Sequence, residues 1–385
     1  MTNIACNADL QELAKRRVPR MFYDYADSGA YTEGTYNQNT SAFEKYLLRQ
    51  RVAVNIDNRS VATKMIGRDV SMPVALAPIG LLGMQHPDGE ILAARAAEKF
   101  GIPFTLSTMS ICSIEAVAAA TTAPFWFQLY VMRDRGFIED LIKRAHVAGC
   151  EALVLTLDLQ ILGQRHKDVR NGLTAPPKPT LANLINLAMK PRWCMGMLGC
   201  KNRTFGNIVG HAKGADDMSS LGEWTHSQFD QTLDWSSVDW IKARWDRKLI
   251  LKGINDVEDA KIAADIGADA IVVSNHGGRQ LDGAAPTIDM LGRIVDAVGD
   301  RIEVHFDSGI RNGQDVFKAM AMGAKGTMIG RSYVYGLGAN GEAGVTKALD
   351  MMKSELDKTM ALCGETDINN VGRHNLLDYD VRTNS

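Results

Sequence analysis

Eight short apolar runs, each emptying into a polar or glycine-bearing turn, recur from residue 74 onward and set the terms for the rest of the chain. They read as strands over Val74 to Ala77, Phe104 to Thr108, Phe125 to Val131, Ala152 to Asp158, Leu249 to Lys252, Ala270 to Ser274, Glu303 to Asp307 and Gly326 to Gly330. Helical periodicity follows them, for example over Gly89 to Phe100, Ile114 to Ala120, Gly136 to Ala148, Val257 to Ile266 and Gly313 to Met322. Eight strands alternating with helices predict an α/β fold, a closed (β/α)8 TIM barrel over about residues 70 to 350. An open doubly wound sheet is the alternative, but no G-x-G-x-x-G follows the first strand to support it.

Two stretches stand outside the rhythm. Residues 9 to 49 mix acidic, basic and aromatic side chains around Met21 to Ala30 and read as an N-terminal helical cap over one end of the barrel. Between Asp158 and Leu249 lie about 90 residues, where about 20 to 30 would supply a loop and a helix. Ser237 to Trp245 reads as that helix, leaving a long insertion after the fourth strand, about residues 171 to 235. From Pro176 to Gly214 it carries Lys178, Lys190, Arg192, Lys201, Arg203 and Lys213, no Asp or Glu, and Leu181, Leu184, Ile185, Leu187, Met189, Trp193, Met195, Met197 and Leu198. That composition suits a peripheral membrane contact through 176–214. A mobile lid over the site is the competing reading.

The 385 residues carry a formal net charge of -2, so no global basic field points to a nucleic-acid partner. Six cysteines without a C-x-x-C pair argue against a zinc site or a disulfide framework, and no cluster has metal-ligand spacing. The first residues lack a basic start followed by an apolar run, and no apolar stretch is long enough to span a bilayer. A cytoplasmic chain is expected, with any membrane contact peripheral.

In such a barrel the chemistry stands at the C-terminal ends of the strands. Those ends read Ala77-Pro78-Ile79-Gly80, Ser107-Thr108, Gln128-Leu129-Tyr130, Thr156-Leu157-Asp158 with Arg165 beyond, Lys252-Gly253, Ser274-Asn275-His276, Asp307-Ser308-Gly309-Ile310-Arg311 and Gly330-Arg331. The sixth is the richest. It delivers an imidazole, His276, and a guanidinium, Arg279, around Gly277-Gly278, which let the backbone turn so that both side chains can face one ligand. Arg165 and Arg279, arriving from different strands, suit a carboxylate gripped in two places. His276 with Asp158 as partner suits a base, and Lys252 suits negative charge developing on a cofactor. Glycines and arginines after the last two strands suit a phosphate. No hydroxyl or thiol has an evident base beside it, which demotes acyl transfer.

These residues resemble a known set. Ser274-Asn275-His276-Gly277-Gly278-Arg279-Gln280 is similar to the signature of the FMN-dependent α-hydroxy acid dehydrogenase and oxidase family. So, in order, are Tyr23-Asp24-Tyr25 with Ser28-Gly29-Ala30, the Pro78 turn, Leu106-Ser107-Thr108, Phe127-Gln128-Leu129-Tyr130, Lys252-Gly253, Asp307 to Arg311 and Gly330-Arg331. The resemblance runs from about residue 9 to residue 365 and implies one FMN-binding domain over 1–385 that oxidises an (S)-2-hydroxy acid to the 2-oxo acid. It implies His276 as base with Asp158 as its partner, Arg165, Arg279 and Tyr25 on the carboxylate, and Tyr130 near the substrate hydroxyl. Pro78, Ile79, Gly80, Ser107, Gln128, Thr156, Lys252, Ser274 and Asp307 would contact the flavin or its ribityl chain, and Gly309, Arg311, Gly330 and Arg331 the phosphate.

Three positions depart from or qualify the pattern. The sequence has Asp158-Leu159-Gln160 where the family often has Pro two positions after the aspartate. Met109 stands where glycolate oxidases carry tryptophan, opening the pocket to a larger side chain than glycolate's. Gly80 occupies a place where members using oxygen tend to have alanine and dehydrogenases glycine. With the basic, tryptophan-bearing insertion, this favours a dehydrogenase of L-lactate- or mandelate-like substrates. Such an enzyme passes electrons to a quinone or other respiratory acceptor at the inner face of the cell membrane, and is a homotetramer by family resemblance. The competing expectations are a soluble oxidase making hydrogen peroxide and, from another class, a non-catalytic phosphate-binding barrel.

Overall fold

The computed structural model describes residues 3–173, 180–211 and 228–377. A hairpin, β1 (Thr63–Met65) and β2 (Arg68–Val70), precedes eight parallel strands: β3 (Val74–Leu76), β4 (Thr105–Ser107), β5 (Trp126–Tyr130), β6 (Ala152–Thr156), β7 (Lys248–Ile254), β8 (Ala270–Val273), β9 (Glu303–Asp307) and β10 (Gly326–Ile329). Neighbours run β3-β10-β9-β8-β7-β6-β5-β4, and a parallel bridge between Leu76 and Phe104 joins the two ends into a ring. The closed barrel read from the sequence is therefore present, and the open sheet is not.

The strands are buried on both faces, as parallel strands wrapped by helices must be, which is why they read as continuous apolar runs. Several of their helices start at a side chain that caps them: Asp134 accepts from Phe137 N at 3.0 Å, Asp256 from Glu258 N at 2.8 Å and Asn312 from Asp315 N at 3.0 Å. Expected strand limits hold to within one or two residues. Asp158 and Ser274, read as strand residues, lie just past the ends of β6 and β8, where the backbone turns toward the site.

The two mouths of the barrel are closed differently. At the N-terminal mouth the hairpin packs Met65, Ile66 and Val70 against Ala75, Trp126, Val154, Ile250, Val272 and Met328 inside the ring. It is latched by Ile66 N donating to Glu303 Oε2 at 2.9 Å and by Arg68 Nη1 on Glu151 Oε1 at 2.6 Å. That packing fills the N-terminal mouth among the described residues.

At the other mouth the expected N-terminal cap is built from helices Asn7–Arg17, Arg20–Ala26 and Gly34–Ser41. Leu10, Ala14 and Val18 pack against Tyr335, Ala339 and Ala348 of the long final helix Arg331–Cys363, which is kinked at Asn340 and Gly341. Asp27 ties the cap together by accepting from three phenols, Tyr23 at 3.0 Å, Tyr36 at 2.8 Å and Tyr335 at 2.6 Å. Burial pushes this carboxyl up, but the phenols and the nearby Arg331 outweigh it and leave its pKa below the usual value.

Of the insertion, the described part forms helices Leu181–Ala188 and Pro191–Gly199, which dock on the cap. Asn186 Oδ1 accepts from Arg20 N at 2.7 Å, and Lys190 Nζ donates to the carbonyls of Lys15 and Arg16. Lys178 and Lys213 lie outside the described residues.

Candidate active site

A cavity of about 730 Å³ opens at the C-terminal mouth. Tyr25, Pro78, Ile79, Gly80, Tyr130, Thr156, Arg165, Lys252, His276, Arg279, Asp307, Gly309, Arg311, Gly330 and Arg331 all line it. The other four residues singled out from sequence, Asp158, Ser107, Gln128 and Ser274, stand directly behind the lining as hydrogen-bond partners of it or of one another.

His276 follows β8 in a left-handed conformation, φ 58°, with its amide donating to Ser274 Oγ at 3.2 Å. Its Nδ1 lies 2.9 Å from Asp158 Oδ1, so Nε2 is the nitrogen left for a ligand. Asp158 reaches it because β7 bulges at Gly253. That residue has φ +102°, and a Cβ there would lie 2.6 Å from the Asp158 carboxyl carbon.

The two guanidiniums meet over one ring: the central carbons of Arg165 and Arg279 lie 5.4 Å and 5.0 Å from the centre of Tyr25. Arg165 is oriented by Asp168, with Nε 2.6 Å from Oδ2. Arg279 Nη1 donates to Tyr25 O at 2.7 Å and Ser28 O at 3.0 Å. Burial lowers the Arg279 pKa to about 10, and the like charge of Arg165 adds to the fall. Two cations held this close, with one destabilised by the other, form a site that gains by taking up an anion. Tyr130, at the end of β5, is pushed up by burial and then by Tyr25 and Asp158, so its phenol stays protonated and can donate.

The floor of the cavity is polar. Lys252 Nζ contacts Asp307 Oδ2 at 2.6 Å and Ser274 Oγ at 2.8 Å, and Ser274 donates to the same carboxylate at 2.7 Å. Burial pushes the Asp307 carboxyl up, but Lys252 and Ser274 outweigh it and hold it below the ordinary range. Beside this cluster, Ser107 Oγ and Thr108 N share Gln128 Oε1, at 3.1 and 3.3 Å. Gln128 Nε2 and Thr156 Oγ1 are buried with no partner among the described residues. An orphaned donor and hydroxyl beside a buried ammonium call for a polar ligand edge. That fits the FMN implied by the sequence, whose ring offers such an edge, and Arg311 lines the same cavity. Arg331, which also lines the cavity, is engaged on the protein side as well. Its guanidinium donates to Ala26 O, Gly277 O and Ser28 O at 3.1, 3.1 and 2.8 Å, tying the cap to the His276 loop.

Some site residues escaped the sequence reading. Asp168 was legible in principle, three residues after Arg165 on one helical turn. Phe229 was not: it stands edge-on to Tyr130 at 5.7 Å through an antiparallel bridge to Met132, a pairing far apart in the chain. Among the described residues no group of His, Cys, Asp or Glu is arranged to hold a metal ion.

Residues 14–378 match the family model described as FMN-dependent dehydrogenase. The L-lactate dehydrogenase of Caulobacter vibrioides (strain NA1000 / CB15N) is 45% identical over 370 residues, 95% of each chain. That of Stenotrophomonas maltophilia (strain R551-3) is 42% identical over 377 residues, covering 97% of this chain and 99% of its own. Among solved structures, the monotopic membrane protein (S)-mandelate dehydrogenase superposes with a TM-score of 0.93 at 34% identity, covering 98% of this chain and 100% of its own. A mandelate oxidase superposes at 0.83 with 36% identity, covering 97% of this chain and 98% of its own. With a barrel, a cavity and a polar floor of this kind, and a match over nearly its whole length, the chain belongs to the FMN-dependent dehydrogenase family.

Proposed function

We propose that this chain works as a single FMN-binding unit that oxidises an (S)-2-hydroxy acid, L-lactate- or mandelate-like, to the 2-oxo acid and passes the electrons to a quinone or other respiratory acceptor. The observation that carries the reading is the convergence of one imidazole, two guanidiniums and a buried ammonium on one cavity. The substrate carboxylate lies between Arg165 and Arg279, with the Tyr25 phenol alongside. Tyr130 donates to the substrate hydroxyl region. His276 Nε2 takes the proton that leaves the substrate, and Asp158 on Nδ1 stabilises the imidazolium that results. FMN, when bound on the floor, supplies the two-electron acceptor. Gln128 and Thr156 hold its polar edge, Lys252 supplies positive charge where negative charge accumulates, and Arg311 with Gly309, Gly330 and Arg331 takes its phosphate.

Peripheral attachment to the inner face of the cell membrane belongs to the same reading, as does a homotetramer, which rests on the family resemblance. Membrane attachment is supported by the likeness to a monotopic membrane protein and by Leu181, Leu184, Ile185, Met189, Met195 and Leu198, all exposed on the docked insertion helices. Among the described residues no helix is long and apolar enough to cross a membrane.

An anaerobic screen of 2-hydroxy acids for bleaching of the bound flavin tests the reading. L-lactate or (S)-mandelate is expected to bleach it, and their (R) forms are not. Protein that purifies colourless and takes up no FMN would overturn the proposal, and rapid oxygen uptake without an added acceptor would replace the dehydrogenase by an oxidase.

A further inference from the structure

The base and the carboxylate clamp come from two loops that share no strand: residues 157–165 after β6 carry Asp158 and Arg165, and residues 274–281 after β8 carry His276 and Arg279. Something must fix their separation, because a shift of about 1 Å between catalytic groups can cost about a hundredfold in rate. The side chain of Gln280 spans the gap. Its Nε2 donates to Asp158 O at 2.9 Å and to Ile161 O at 2.8 Å, and its Oε1 accepts from Gly163 N at 3.0 Å. One amide therefore engages the first loop at three points between the base's partner and the first arginine, while its own backbone directly follows the second arginine.

The loops also touch through their backbones. A Cβ on Gly163 would lie 2.3 Å from Arg279 O and 2.8 Å from Gln280 Cα, so only a glycine lets them close to this distance. Arg165 and Arg279 sit on a common tyrosine ring, and His276 sits within hydrogen-bond reach of Asp158, in a molecule where those two loops are stapled by Gln280.

We propose that Gln280 is a positioning residue: its amide sets the spacing of the two loops, and through it both the His276–Asp158 contact and the separation of the two guanidiniums. The proposal rests on the reading of Arg165 and Arg279 as a carboxylate clamp. Gln280→Met keeps the length and volume of the side chain and removes all three hydrogen bonds. Gln280→Glu keeps the acceptor for Gly163 N but sets a carboxylate against two carbonyls. Gly163→Ala forces the loops apart with Gln280 intact.

The test compares these holoenzymes with wild type by titration with oxalate, a small dicarboxylate that undergoes no turnover, and by steady-state kinetics and thermal midpoint. All three variants are expected to bind oxalate at least about tenfold more weakly and to lose about ten- to a hundredfold in kcat/KM, with kcat down and KM up together, because base and clamp move as one. Gln280→Met that keeps wild-type oxalate affinity and kcat/KM, whatever its thermal midpoint, overturns the proposal and leaves Gln280 a stabilising residue. Wild-type protein that binds no oxalate overturns instead the carboxylate reading beneath it. A variant too unstable to assay leaves the decision to the other two, since Gly163→Ala with unaltered oxalate affinity would equally refute control of the site by loop spacing.

Discussion

Nδ1 of His276 sits 2.9 Å from Oδ1 of Asp158, the imidazole coming from the loop after β8 and the carboxylate from the loop after β6. The contact fixes which nitrogen is left to face the cavity and places a carboxylate behind the ring, which in the proposed reaction would stabilise the imidazolium. Asp158→Asn keeps the shape and removes the charge. We expect kcat/KM to fall about 10²- to 10⁴-fold, with FMN still bound, as read by anaerobic single-turnover bleaching. His276→Ala should keep the yellow colour and lose the bleaching; fast bleaching in that variant would mean that another group is the base.

The pair of guanidiniums gives a pH dependence with a definite sign. The Arg279 pKa is lowered to about 10 by burial and by Arg165. A bound carboxylate favours the charged guanidinium, so it raises that pKa and binding is linked to protonation. Affinity for a non-reacting carboxylate should therefore be flat well below pH 10 and weaken as the pH rises through it. Oxalate titrations across that range check the sign, and constant affinity to pH 11 would exclude Arg279 from the clamp.

Lys252 and Asp307 make the opposite kind of pair, buried with side chains 5% and 10% exposed. Removing one member strands the other, at a cost of about 3–5 kcal/mol. Asp307→Ala should lower stability by about that amount and shed flavin, whereas Lys252→Met, which removes the cation and leaves Asp307 able to take up a proton, should fold better and lose turnover first. Because the folded Asp307 pKa is depressed, its contribution to stability is present above the usual Asp range and fades as the pH falls through the lower folded value. Urea melts of wild type and Asp307→Asn should therefore still differ at pH 7 and at pH 4, and converge only when the pH falls below the usual Asp range.

The barrel was legible because its signal is local. Each strand is a short run largely buried on both faces, such as Ala152–Thr156, and several helices begin at a side chain that caps them, such as Asp134, Asp256 or Asn312. Most site residues were legible for a related reason: strand ends in a barrel converge, so a polar residue after an apolar run is placed by topology alone. What stayed hidden depends on contacts between distant segments. Nothing near Phe229 in the sequence announces its place against Tyr130, and nothing about Gln280 announces that it staples the Asp158 loop. The three cap and loop carbonyls that engage the Arg331 guanidinium were equally hidden, because they come together only when the N-terminal cap folds over the barrel.

Trp193 shows how composition and placement can part company within one segment. Its basic and apolar surroundings suggested a membrane anchor, but the ring stacks on Phe22 at 5.5 Å and its indole N–H donates to Met84 O at 2.9 Å, both within the protein. The side chains left outside are leucines, isoleucine and methionines, with Leu181 and Leu198 at 74% and 75% exposure. Each such leucine contributes about 1.5–3 kcal/mol when fully buried in lipid, so Leu181→Asp with Leu198→Asp should remove at least about 3 kcal/mol, roughly a hundredfold in partitioning. Because neither side chain is buried in the protein, flavin content and thermal midpoint should hold. Trp193→Ala should do the reverse, lowering the thermal midpoint by undocking the two helices from the cap while leaving their apolar face available. Co-sedimentation with lipid vesicles separates the two: retention by the double aspartate variant would assign the exposed face some role other than lipid contact.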